Sequence, residues 1–380
     1  MKSSKQKITP RYDRLFVILM PLLATLLALA IGAVLLISLG ADPIEGYSAM
    51  FQGAFGSKNA LADTIVKATP LLLVGVGICI SFRGGVLNIG GEGQLIVGAI
   101  CATYVGLALP ELSFGALVPI AMVAGFLGGA VWGGIPGVLK AYFNVNEILS
   151  TIMLNAIAVQ GMNYLLRGPL IDPVQLEAAS RIPQTARLSR LYDLPRLIPT
   201  RLHAGALLAV VAAVLVYIFL WRTTIGYRIR AVGLNMSASR YAGINVRHYI
   251  VLALLLSGAL AGLAGAVQVY GVHHRMFTDG SATGFTGSAG FNGIVAALFG
   301  QLHPLGTIPA SFFFGALIVG ANSMQRAMQI PSALIIALNG LLVVFVVSSE
   351  YFKRRLEKKR LIDIESMEET EKPAGTEVAA

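Results

Sequence analysis

Arg83-Gly-Gly-Val-Leu-Asn-Ile-Gly-Gly-Glu-Gly-Gln94 separates two strongly apolar runs, residues 69–82 and 95–109. Five of its twelve residues are glycine, and each glycine weakens a helix by about 1 kcal/mol relative to alanine. Irregular backbone is not tolerated in contact with hydrocarbon, so the segment must be buried in protein, line a watery cavity or turn in the aqueous phase. Discontinuous helices with polar residues at their broken ends are one way to build a solute route through a membrane. That reading is preferred to a plain cytoplasmic turn.

The surroundings support it. The chain is 56% hydrophobic and 13% charged, with a mean hydropathy of +0.73, well away from soluble averages. Apolar runs recur along nearly the whole length, which excludes a soluble domain on one anchor. Long Leu/Ala/Val runs of about 20 residues suit helical spans, and the alternating pattern of a membrane β-barrel is missing. The formal charge of +10 lies mainly in loops and tails, as membrane topology predicts, and is no nucleic-acid signal. Cys79 and Cys101 sit inside apolar runs, and neither a disulfide framework nor a metal-ligand spacing is present.

Taken in order, residues 1–14 carry five basic side chains against Asp13 and read as a cytoplasmic tail. Residues 15–39 form an uncleaved first span, and 40–62 a weakly acidic external loop. Further spans are expected near 63–82, 94–109, 114–139, 148–166, 203–221, 249–271, 307–324 and 332–349, with a short apolar run at 291–300. Asp63 and Lys67 are expected to pair at the outer interface. Gly125, Gly128, Gly129, Gly133 and Gly134, and the small residues of 257–265, let helices approach closely. Residues 140–147 read as a short internal loop. The proline-rich loop 167–202 has six arginines against three acids; parity places it outside although its charge argues otherwise. Residues 222–248 hold five arginines and no acid, the clearest cytoplasmic loop, with a short amphipathic helix expected at 231–243. A second glycine/proline break surrounds 300–306 and resembles the first in kind, a hint of two related halves. The fold class is therefore an all-α polytopic membrane protein of about ten transmembrane segments, some discontinuous. A transmembrane domain fills 15–350, and the tail 351–380, basic at first and then acidic, has a disordered composition.

No Gly-x-x-x-x-Gly-Lys-Ser/Thr loop occurs in the sequence, so the chain does not bind ATP by a P-loop, and neither a His-Glu-x-x-His helix nor a Gly-x-Ser-x-Gly elbow is present. Ionisable residues are scarce inside the spans, which argues against ion-coupled transport, although Lys67, Glu92 and Glu147 keep that alternative open. Asn88, Glu92, Gln94, Asn155 and Asn292 are the candidates for lining a polar pathway. Glu92 fits equally well a structural place in the first turn of a half-helix, where the dipole stabilises a carboxylate.

Several stretches resemble the permease subunits of bacterial ABC importers, in the simple sugar/nucleoside branch of the branched-chain amino acid/ribose permease family. They are Gly85-Val-Leu-Asn-Ile-Gly-Gly-Glu-Gly-Gln94, Asn146-Glu-Ile-Leu-Ser-Thr-Ile-Met-Leu-Asn155, and Gly290-Phe-Asn-Gly-Ile-Val-Ala-Ala-Leu-Phe-Gly300 with Pro304-x-Gly306. Gly233-Leu-Asn-Met-Ser-Ala-Ser-Arg-Tyr-Ala-Gly243 is similar to the loop that engages the ATPase. Within it, Ser237, Ala238, Ser239 and Gly243 keep the spacing of a Glu-Ala-Ala-x-x-x-Gly signature, without the glutamate and with Ser239 for the second alanine; Gly233 and Asn235 belong to the same loop. The resemblance covers about residues 60–350. It implies a nucleoside importer subunit, with a simple sugar such as ribose or a branched-chain amino acid as alternative cargo. It also implies a second permease subunit, two ATPase subunits that bind the ATP, an extracellular solute-binding protein, and residence in the bacterial cell membrane with both termini cytoplasmic. No cofactor in this chain and no nucleic acid are expected.

Overall fold

The computed structural model describes residues 26–329, apart from 28, 39, 180 and 282, together with 340, 341 and 344. The expected cytoplasmic tails, 1–14 and 351–380, and most of the span at 332–349 lie outside the described residues, as does 15–25 of the first span. The chain divides into two units: 47–327, and the terminal stretches 1–46 and 328–380. The described part of the terminal unit holds the apolar helix α1, Leu29–Ser38, and the start of α2, Pro43–Phe55. Helix α2 replaces the loop expected at 40–62.

In the larger unit, helix follows helix: α3 (Lys58–Arg83), α4 (Gly91–Ala108), α5 (Phe114–Phe143), α6 (Glu147–Arg167), the short α7 (Pro173–Glu177), and α8 (Gly205–Arg222). Then come α9 (Thr224–Leu234), α10 (Met236–Tyr241), α11 (Val246–Gln268), the short α12 (Thr283–Thr286), α13 (Ala289–Phe299) and α14 (Pro304–Met328). Among the described residues seven helices are long and apolar enough to cross a membrane: α3, α4, α5, α6, α8, α14, and α11 with its extension to His273. The extension is a π-turn, Val269–His273, closed by His274 in the left-handed region at φ 57°. The polytopic all-α class is thus what the chain adopts. The expected total of ten also needs 15–39 and 332–349, which are not fully described.

The boundaries follow from local chemistry. The Ser57 hydroxyl accepts the Ala60 N–H at 3.0 Å and opens α3. Asn146 accepts the N–H groups of Ile148 and Leu149 and opens α6; Asn245 does the same for α11 through His248. The loop expected at 140–147 shrinks to residues 144–146, because α5 runs on to Phe143, and Lys140 pairs with Glu147 across the turn at 3.0 Å. The single helix expected at 231–243 is two, since Asn235 takes an extended conformation and its side chain caps α10 by accepting the Ala238 N–H at 3.0 Å.

The core is built around α11, against which α3, α4 and α5 pack, with α4 and α5 also packed on each other. Its tightest seam joins α5 to α11: a Cβ added at Gly129 would lie 2.2 Å from the Gly258 carbonyl oxygen, so the two backbones touch. Helix α13 lies along α3, with Gly293 against Val74 and Gly75. Helix α14 runs antiparallel to α3, from Thr307 beside Cys79 to Gly315 beside Thr64 and Ala68.

Candidate functional site

Residues 84–90 do not cross to the next helix in the aqueous phase but climb back into the bundle. Gly84 lies against Ala253 and Ile229, whereas Gly91 reaches the level of Val74 and Gly290. Helix α4 therefore begins at mid-depth. Helix α13 also begins there, and the two N-termini converge on Glu92. Its carboxyl group accepts the Gly290 N–H at 2.7 Å and the hydroxyl of Thr286, so it caps α13 while standing in the first turn of α4. The first break and the glycine-rich segment that leads into α13 are one structure.

The neighbouring amides close the rest. Asn88 donates to the side chains of Gln94 at 2.9 Å and Ser257 at 2.8 Å, and its carbonyl accepts the Gly90 N–H at 2.9 Å. Asn155, from α6, accepts the Gly93 N–H at 2.8 Å and donates to the Ile89 carbonyl at 2.9 Å. Asn88, Glu92 and Gln94 are fully buried and Asn155 nearly so. The structure thus brings four of the five expected pathway residues together, with their polar groups turned on the chain itself. Asn292 stands apart on α13, half-buried.

At one end of the bundle lies a cavity of about 540 Å³. Lys67, Arg187, Arg196, Arg201 and Arg326 line it together with Asp63 and Asp193. Asp63 and Lys67 share its wall but do not close the ion pair expected of them. The loop 168–204 forms much of this end, tied down by the Leu188 N–H to the His274 carbonyl at 2.8 Å, the Leu194 N–H to the Tyr270 carbonyl at 3.0 Å, and the Tyr192 hydroxyl to the Pro110 carbonyl at 2.5 Å. His274 Nδ1 meets Asp193 at 2.7 Å. His203 is buried in the cavity wall, and burial, helped by nearby His274, pushes its imidazole down to about 4. Its Nδ1 accepts the Gly205 N–H at 3.2 Å, which leaves the proton on Nε2, a buried donor with no partner among the described residues.

The opposite end carries α9 and α10. From Lys67, in the cavity, to Arg83, where α9 packs, α3 rises about 24 Å at 1.5 Å per residue. Asn235, Ser237, Ala238 and Gly243 are exposed, Gly233 is half-buried and Ser239 is buried. Leu234 and Tyr241 are 88% and 95% exposed, apolar surface that a finished assembly would cover. Composition did not point to this end's inner contacts, made by Arg83, Tyr217, Trp221, Arg230 and His303, or to the histidines of the cavity; a tryptophan beside an arginine at a span's end reads as an ordinary interfacial anchor.

Interrupted helices meeting at mid-depth, a polar cavity at one end and an exposed helical loop at the other define a membrane permease. The chain belongs to the family described as branched-chain amino acid transport system, permease component, whose profile matches residues 60–347. It is similar to the guanosine ABC transporter permease NupP of Bacillus subtilis, 37% identical over 91% of this chain and 98% of that one. It is also similar to the glucose ABC transporter permease TsgB13 of Haloferax volcanii, at 36% over 88% of each chain. The nucleoside ABC transporter permease NupB of Lactococcus lactis is 29% identical over 91% of this chain and 94% of its own. No solved structure matches. The protein is a multi-pass permease subunit of an ABC transporter, not itself an enzyme, and works with an ATPase and a solute-binding protein.

Proposed function

We propose that this subunit moves nucleosides into the cell. The observation that carries the reading is the pairing of a basic, histidine-lined cavity at one end with the exposed Leu234 and Tyr241 of an acid-free loop at the other. A solute delivered at the first end would leave past the breaks when an ATPase pulls on the second. The loop 222–248 is then cytoplasmic, the cavity faces the solute-binding protein outside, and both termini are cytoplasmic in a bacterial cell membrane. Two ATPase subunits, which hold the ATP, and a second permease complete the assembly; this chain needs no cofactor of its own. Asn235, Ser237, Ala238 and Gly243 form the docking surface, with Gly233 and the buried Ser239 seating it on the bundle, within a transmembrane domain spanning 15–350.

Because their hydrogen bonds are satisfied within the chain, Asn88, Glu92, Gln94 and Asn155 shape the pathway wall as a brace, and Asn292 is the residue of this set best placed to meet the solute. Likeness to the guanosine and nucleoside permeases supports the cargo. Likeness to the glucose permease TsgB13 supports a simple sugar as the second reading. Competition uptake decides: unlabelled nucleosides should suppress labelled guanosine uptake at least tenfold, while ribose, glucose and leucine leave it unchanged. Suppression by glucose or ribose alone would reassign the cargo.

A further inference from the structure

The indole of Trp221, in the last turn of α8, is the meeting point of both breaks and the exposed loop. The Arg83 guanidinium carbon lies 5.5 Å from the ring centroid and that of Arg230, on α9, lies 5.4 Å from it. The His303 ring is 4.9 Å away, and Tyr217 stacks on Trp221 at 5.4 Å. Arg83 also holds the second break: its Nε donates to the Leu302 carbonyl at 3.1 Å and its Nη2 to the Gln301 carbonyl at 3.2 Å. Gln301 and Leu302 are consecutive non-glycine residues in the left-handed region, at φ 58° and 53°, a conformation that persists only when its surroundings enforce it. Arg230 is itself fixed, its Nε donating to the Leu220 carbonyl at 3.0 Å. On the other side α9 bears directly on the first break, for a Cβ at Gly233 would lie 2.0 Å from the Arg83 carbonyl oxygen.

We propose that Trp221 is a positioning residue for energy coupling, transmitting displacement of α9 to the strained Gln301–Leu302 turn and so to the N-terminus of α14. Helix α9 cannot shift without moving Arg83 through Gly233, and cannot shift Arg230 without pulling on the ring against which Arg83 and His303 rest. Each cation–ring contact is weak alone, but together they are the side-chain link from the loop to both breaks. The inference rests on the docking role of α9 and α10 proposed above.

The test uses the whole importer in proteoliposomes, with its ATPase and solute-binding protein, and reads solute moved per ATP hydrolysed. Trp221→Ala should lower that ratio at least tenfold with the ATPase still bound and hydrolysing, Trp221→Phe should stay within twofold of wild type, and Arg230→Gln should fall about threefold to tenfold. If Trp221→Ala does not assemble, Arg230→Gln decides alone. Gly243→Asp serves as the reference: Gly243 has φ 78°, which strains any other residue, and its side-chain position is open. Uncoupling by Gly243→Asp with wild-type ratios in Trp221→Ala and Arg230→Gln would remove the relay and leave the docking role standing. Normal coupling in Gly243→Asp would remove both.

Discussion

Glu92 is the residue on which the starts of α4 and α13 close. The start of α13 alone would leave donors buried without acceptors, at about 1–3 kcal/mol for each lost partner. One carboxyl group, set between the starts of α4 and α13, satisfies Thr286 and Gly290 together. Glu92→Ala should therefore destabilise the protein by roughly 2 kcal/mol or more, since each buried donor left without its partner costs about 1–3 kcal/mol. Thermal unfolding in detergent and transport in vesicles should fall together. A variant that melts like wild type yet moves no solute would instead make this side chain a contact for the cargo. Asn88 and Asn155 work in the same way: Asn88 accepts from the Gly90 backbone and donates to Ser257 of α11, and Asn155, on α6, bonds the backbone of Ile89 and Gly93.

At the scale of helices, the glycines of α5 divide by what they face. Gly129 and Gly258 each leave less than 2.5 Å for a Cβ before the other's carbonyl oxygen, whereas Gly134 has Leu255 as its nearest neighbour at 4.0 Å. Overpacking of this kind typically costs about 1–3 kcal/mol and more when backbone must move. Gly129→Val should lower the melting temperature clearly and Gly134→Val should hardly change it. Equal melting of the two variants would mean that α5 and α11 do not pack by this seam.

At the scale of the molecule, the proposed function has energy and cargo entering at opposite ends of the bundle, and no residue pattern in the chain supplies a phosphate-binding loop. Few charges lie within the spans to bind a coupling ion. Uptake in cells should thus stop on depletion of ATP and persist when an ionophore collapses the ion gradients while ATP is maintained. The reverse pattern would turn this permease into a secondary transporter.

Much of this was legible in the residues because it depends on short windows of chain. About twenty apolar residues make a span, a glycine run makes a seam, and five arginines without an acid mark one loop. The positions of both breaks were visible for the same reason. What only the tertiary structure decided was which polar group meets which: Glu92 finds Gly290 and Thr286 at separations of 198 and 194 residues, and Asn88 finds Ser257 at 169. A buried side chain declares in sequence that it needs a partner, but hydrogen bonds and ring contacts across such distances are chosen by packing, and packing leaves no local trace.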